Sequence, residues 1–78
     1  MSWLDDVTME IADTSGIDVA ELRLSPDEIR ELLDIARIAS HVSGDRINAP
    51  LLCHVLGIAR AKGASLDELS AVVRTREA

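Results

Sequence analysis

Cys53, His54 and His41 are the only thiol and imidazole side chains in the 78 residues, so they are the first candidates for chemistry. Structural zinc sites converge four Cys or His ligands at recognised spacings. Neighbouring Cys53 and His54 point in two directions if they share a helix, which leaves the trio short of a converging set. Nucleophilic catalysis would need the Cys53 thiol beside a base, with an oxyanion pocket to receive the developing charge. The apolar run around Cys53 makes it read as a small buried hydrophobe instead. Acidic pairs are abundant, but Asp5-Asp6 and Asp27-Glu28 fall in the first turns of predicted helices, where the helix dipole accounts for them. The sequence has neither a glycine-rich phosphate loop nor a dinucleotide fingerprint. The expectation is a chain without a catalytic set, a metal site or a cofactor.

Arg46 offers a different chemistry. It precedes the start of the third predicted helix, and Arg37 and His41 lie on the helix before it. Free backbone donors at a helix start, together with a guanidinium, can hold an anion. Pro50 removes one of those donors. The competing reading pairs Arg46 with Asp45, or has it cap carbonyls at the end of the preceding helix. Arg37, His41, Arg46, Asn48 and His54 are the candidate ligand- or partner-binding residues.

These residues must be positioned by helices, and the chain marks helix ends four times. Ser2 followed by Asp5 and Asp6 supplies a cap and an acidic first turn. Trp3, Leu4, Val7, Ile11 and Ala12 then recur at helical spacing until Gly16. Ser25-Pro26-Asp27-Glu28 is the strongest local signal, a capping box with proline in the first turn. That helix runs to Gly44, with Ile29, Leu32, Leu33, Ala36 and Ala39 on one face. Ile35, Ile38 and Val42 widen the stripe, which predicts burial on more than one side. Its polar strip is Asp27, Arg30, Glu31, Asp34, Arg37 and His41. Asn48-Ala49-Pro50 opens a third helix so apolar that it reads as the central, most buried one. Gly57 within it suggests close approach of a neighbouring helix. Ser65-Leu66-Asp67-Glu68 is a second capping box and starts a short last helix. Residues 18–23 are open between one helical turn capped by Asp18 and an extended connector.

The expected fold is therefore all-α: a single domain over 1–78, a compact bundle of four main helices at 2–15, 25–43, 49–62 and 65–76. Composition narrows the function. Acids outnumber bases 14 to 8, for a net charge of −6, and Trp3 is the only aromatic residue. Nucleic-acid binding normally needs a basic stripe or stacking rings, so no nucleic-acid partner is expected. Apolar runs stay far below the roughly 20 residues that span a bilayer, so no membrane role is expected either. One cysteine and an acidic N-terminus suit a cytoplasmic protein. The charge is uneven: residues 1–34 carry ten acids and two bases, residues 35–78 four acids and six bases. A mean hydropathy of +0.14 in so small a chain predicts apolar surface left outside. Such surface commonly marks a partner or a dimer.

The ordered set Leu33-Asp34-Ile35-Ala36-Arg37, His41, Arg46, Ala49-Pro50-Leu51 and Gly57-Ile58-Ala59 resembles a small helical domain of unknown function common in actinobacteria. Trp3-Leu4 and Gly16-Ile17-Asp18 resemble that family's opening, so the likeness covers nearly the whole chain. Arg37, His41, Arg46, Pro50 and Gly57 fall on the family pattern. The loop from His41 to Arg46 is one residue longer here, His54 stands where the family has phenylalanine, and Ser40 replaces an alanine. The family occurs alone or joined to the enzyme that attaches a guanine nucleotide to molybdopterin. The resemblance thus implies an accessory role in molybdenum-cofactor biosynthesis, with a molybdenum-cofactor guanylyltransferase as protein partner. It carries no GTP chemistry over to this chain. Residues and resemblance together lead to a non-enzymatic accessory or protein-interaction domain. A small-molecule or anion-binding domain centred on Arg46 is the alternative, and a homodimer is a third option.

Overall fold

Three helix starts are closed by the same reciprocal device. The Asp5 N–H donates to Ser2 Oγ at 3.1 Å and the Ser2 N–H donates back to Asp5. Ser25 pairs in the same way with Glu28, at 3.1 and 2.8 Å, and Ser65 with Glu68, at 3.2 and 2.7 Å. Each box satisfies two backbone donors that a helix start otherwise leaves without partners. Gly16 and Gly44 close two of the ends with φ near +75°, a left-handed conformation in which a side chain would be strained.

These signals delimit the helices of the computed structural model, which describes residues 2–77. They are α1 (Trp3–Ser15), α2 (Val19–Leu22), α3 (Pro26–Ser43), α4 (Asn48–Ala61) and α5 (Leu66–Arg74), followed by a 3₁₀ turn, Thr75–Glu77. No strand occurs among the described residues. The fold is the expected all-α bundle of four main helices. The open question at residues 18–23 resolves to one helical turn, with the Ala20 N–H donating to Asp18 Oδ1 at 3.0 Å. Helix α4 starts without a side-chain cap. It grows out of a preceding turn in which the Asn48 and Ala49 N–H groups donate to the carbonyls of Asp45 and Arg46.

The tight part of the bundle is α3, α4 and α5. Ile35 and Ile38 on α3 are 0% and 1% exposed, enclosed with Leu56 of α4 and Val73 of α5. Leu32, Leu52, Leu66 and Leu69 pack around that centre. α3 is therefore the central helix, and the reading of α4 as the most buried element is corrected. α4 is rich in apolar residues, yet only Leu56 is buried, while Leu51, Val55 and Ile58 face outward. Gly57 is corrected too: a Cβ added there would meet nothing within 4 Å, so no close helix approach explains it.

Helix α1 packs against α2 and, among the described residues, lies against none of α3, α4 and α5. A cleft of about 280 Å³, lined by Leu4, Thr8, Leu22, Leu24 and Ile29, separates the α1–α2 arm from the start of α3. The arm draws the molecule out to 41 × 26 × 20 Å, with a radius of gyration of 13.5 Å. A chain of this length ordinarily has about 11.5 Å.

Two substitutions check this account in thermal melts. Gly57→Ala should stabilise by about 0.5–1 kcal/mol, since the helix gains propensity and the methyl meets open space. That is a rise of roughly 4–8 °C in Tm at the upper end. Ile35→Ala should cost about 2–5 kcal/mol, because it empties the most enclosed position.

Candidate functional site

α3 presents its acidic residues Glu28, Glu31 and Asp34 at three-residue spacing, so they share one edge of the helix. Each meets an arginine from a later helix. Arg60 of α4 reaches Glu28 Oε2 at 2.5 Å. Arg74 of α5 spans Glu31 Oε1 at 2.5 Å and Asp34 Oδ2 at 2.8 Å. The buried Ser70 hydroxyl donates to Glu31. Arg37 binds Asp34 at 2.9 Å and Glu77 at 3.3 Å, tying the terminal turn to α3.

The carboxyl groups record these contacts. Glu28 is lowered from 4.5 to about 2, mainly by the Ser25 backbone N–H and then by Arg60. The Ser70 hydroxyl, then Arg74, holds Glu31 below the usual carboxylate range. Arg74, then Arg37, does the same for Asp34. The guanidinium groups of Arg37 and Arg74 are raised, chiefly by Asp34 and Glu31 respectively. Burial pushes the Cys53 thiol up, which disfavours the thiolate.

The candidate residues thus take separate places. Arg37 belongs to the clamp on α3. His41 is exposed in the last turn of α3, and His54 is exposed on α4. Arg46 lies exposed in the loop 44–47 and, among the described residues, forms no ion pair. The backbone donors that an anion beside it would use are already engaged. The Ile47 N–H donates to Asp45 Oδ1 at 3.1 Å, those of Asn48 and Ala49 to carbonyls, and Pro50 has none. Among the described residues no three His, Cys, Asp or Glu side chains gather where they could hold a metal ion.

Asn48 alone of the five lines a concavity formed by α3, α4 and α5. This is an open groove of about 600 Å³ along the second half of α3. Its floor is Ile38, Ala39 and Val42. One wall is α4, through Leu51, Leu52 and Val55; the other is α5, through Val72 and Val73. Leu51 and Val55 are 58% and 57% exposed, and Val42 and Val72 are comparably open. Polar groups occur only at the margins, as Ser43, Asn48 and Arg76. The loop carrying Arg46 joins Ser43 to Asn48 and so closes one end of the groove.

A groove walled by aliphatic side chains, with Arg76 at its margin, suits the apolar face of an amphipathic helix. It lacks the convergent polar groups that orient a small polar ligand. Sequence reasoning missed Leu51, Val55 and Val72 as surface residues. The signal was their spacing: Leu51, Val55 and Ile58 make a second apolar stripe on α4, set apart from the Leu52–Leu56 stripe that faces the core. No known protein family, curated protein or solved structure matches the chain. No helix among the described residues is long and apolar enough to cross a membrane.

The clamps make stability depend on acid. A carboxylate whose pKa is lowered by folding stabilises the fold above its unfolded value, and the contribution fades as pH falls towards its folded value. For Glu28 that window runs from 4.5 down to about 2. Tm followed by circular dichroism should therefore fall across this window. In Glu28→Gln, whose side chain cannot titrate, the fall should be shallower.

Proposed function

We propose that the chain is a non-enzymatic accessory module of the cytoplasm that binds a protein partner by taking an amphipathic helix into the α3–α4–α5 groove. The observation behind this reading is the groove itself, open along its length and lined by aliphatic side chains. The accessible surface is consistent with it. The protein exposes 5830 Å², whereas a folded monomer of its mass ordinarily exposes about 4,600 Å². The high pKa of Cys53 and the engagement of Arg37, Arg60 and Arg74 in structural clamps leave these groups poorly suited to catalysis.

The resemblance described above makes a molybdenum-cofactor guanylyltransferase the first partner to test, as the accessory role in that biosynthesis would require. Titration calorimetry with the purified enzyme should give saturable binding to the wild-type chain. Val55→Asp, which sets a charge in the wall of the groove, should weaken it at least a hundredfold, an effect of about 3 kcal/mol or more. No binding by the wild-type chain would overturn this choice of partner. Equal binding by Val55→Asp would overturn the groove as the site.

A further inference from the structure

Helix α1 carries a face as unpartnered as the groove. Trp3, Val7 and Ile11 follow one another at four-residue spacing and form a ridge, with Leu4 alongside. Trp3 is 77% exposed and Ile11 is half exposed; Val7 between them is partly buried, and Leu4 also lines the cleft towards Ile29. This is the pattern of anchors with which an amphipathic helix enters a groove. The groove has an apolar lining and no helix in it; α1 has an apolar ridge and only α2 behind it.

Charge matches the two surfaces. Through residue 22 the chain has six acids and no base, and Asp6, Glu10 and Asp13 flank the ridge. The groove has Arg76 in its lining and Arg46 in the loop at its end. Among the described residues neither forms an ion pair, in contrast to Arg37, Arg60 and Arg74.

Geometry selects the source of the helix. The cleft at Leu4, Leu22 and Ile29 sets α1 beside the first turn of α3, whereas the groove lies over the second half of that helix. α3 has 18 residues and is about 27 Å long. To fill its own groove, α1 would have to swing along α3, away from the cleft it shares with Ile29. A second copy can supply α1 with the α1–α2 contact intact. The surface in excess of the mass expectation is roughly 1,200 Å², enough for the 800 Å² or so that each partner contributes to a standard stable interface.

We infer that the protein forms a two-fold dimer by reciprocal exchange, with the acidic helix α1 of each copy seated in the α3–α4–α5 groove of the other. This rests on the reading of the groove as a helix-binding surface and names a second copy of this chain as its occupant when no partner helix is bound.

Sedimentation equilibrium tests it, since the wild-type chain should run at twice its 8.4 kDa mass. Val7→Asp on the ridge and Val55→Asp in the groove should each weaken the dimer about a hundredfold or more. An equimolar mixture of the two should recover dimers, because one chain keeps a sound ridge and the other a sound groove. A second pair of variants does not disturb folding by adding charge: Ile11→Cys in one chain and Val55→Cys in another, both with Cys53→Ala. Mixed and treated with a short bismaleimide, they should yield a crosslink between residues 11 and 55 of different chains. A wild-type chain that stays monomeric at millimolar concentration overturns the exchange. So does a dimer that survives Val7→Asp, or one that crosslinks only like variant to like. A monomer whose enzyme binding is still abolished by Val55→Asp refutes the exchange alone and leaves the groove as a docking site.

Discussion

Ile35 and Ile38 on α3 are the side chains that water scarcely reaches, and the rest of the fold is arranged by what encloses them. Enclosing two adjacent turns of one helix takes a helix on either side, and α4 and α5 fill those places through Leu56 and Val73. A short α5 of nine residues can cover only part of an α3 twice its length. The second half of α3 is therefore shielded on its flanks and left open above, which is the origin of the groove. The groove is thus a consequence of how the core is closed, not a separate feature carved into it.

The acidic edge of α3 makes that arrangement specific. Packing of aliphatic side chains tolerates small slides and rotations between helices, since dispersion and burial have little directionality. Arg60 on Glu28, and Arg74 astride Glu31 and Asp34, fix where α4 and α5 stop along α3. Partly exposed ion pairs of this kind add little stability singly, because solvent screens them and ordering two long side chains costs entropy. Here their number and shared partners matter more, for Arg74, Asp34 and Arg37 form one connected series ending at Glu77. Part of the charge asymmetry between the two halves of the chain is spent inside the fold in this way. The charge of α1 is not, and it remains on the surface.

The helices were legible because their ends are written locally. A serine three residues before a carboxylate states a helix start whatever the rest of the chain does, and Ser2, Ser25 and Ser65 all behave so. Burial is not written locally. The richness of α4 in aliphatic residues suggested a central helix, but it reflects two stripes, Leu52–Leu56 facing the core and Leu51–Val55 facing out. A stripe read from sequence says that a face is apolar; it does not say which neighbour covers it. The same limit applied to Arg37, which shares the polar strip of α3 with solvated residues yet is tied across forty residues to Glu77. Asn48 is the candidate nearest the groove because it opens α4, where free backbone donors were expected to hold an anion. In the structure those donors belong to a turn, and the place matters for the apolar wall beside it.

A small chain buries a smaller fraction of its surface than a large one, so unmet apolar area is the ordinary difficulty of a 78-residue fold. Small secreted domains meet it with disulfides, an option closed to a chain with one cysteine. Metals are the other common staple. This chain leaves a helical ridge and a helical groove open at opposite parts of one elongated molecule. A ridge and a groove on the same chain cannot be satisfied by a partner that offers only one complementary surface. Two-fold exchange satisfies both at once, because each interface uses the ridge of one copy and the groove of the other. It also gives Trp3 a role consistent with its chemistry. Tryptophan is enriched among the residues that dominate interface energies, since it buries a large rigid surface at small entropic cost. The only aromatic residue in the sequence stands at the tip of α1, the most exposed large hydrophobic side chain among the described residues. That position contributes almost nothing to the fold of a single copy, and the proposed exchange would bury it against a neighbour.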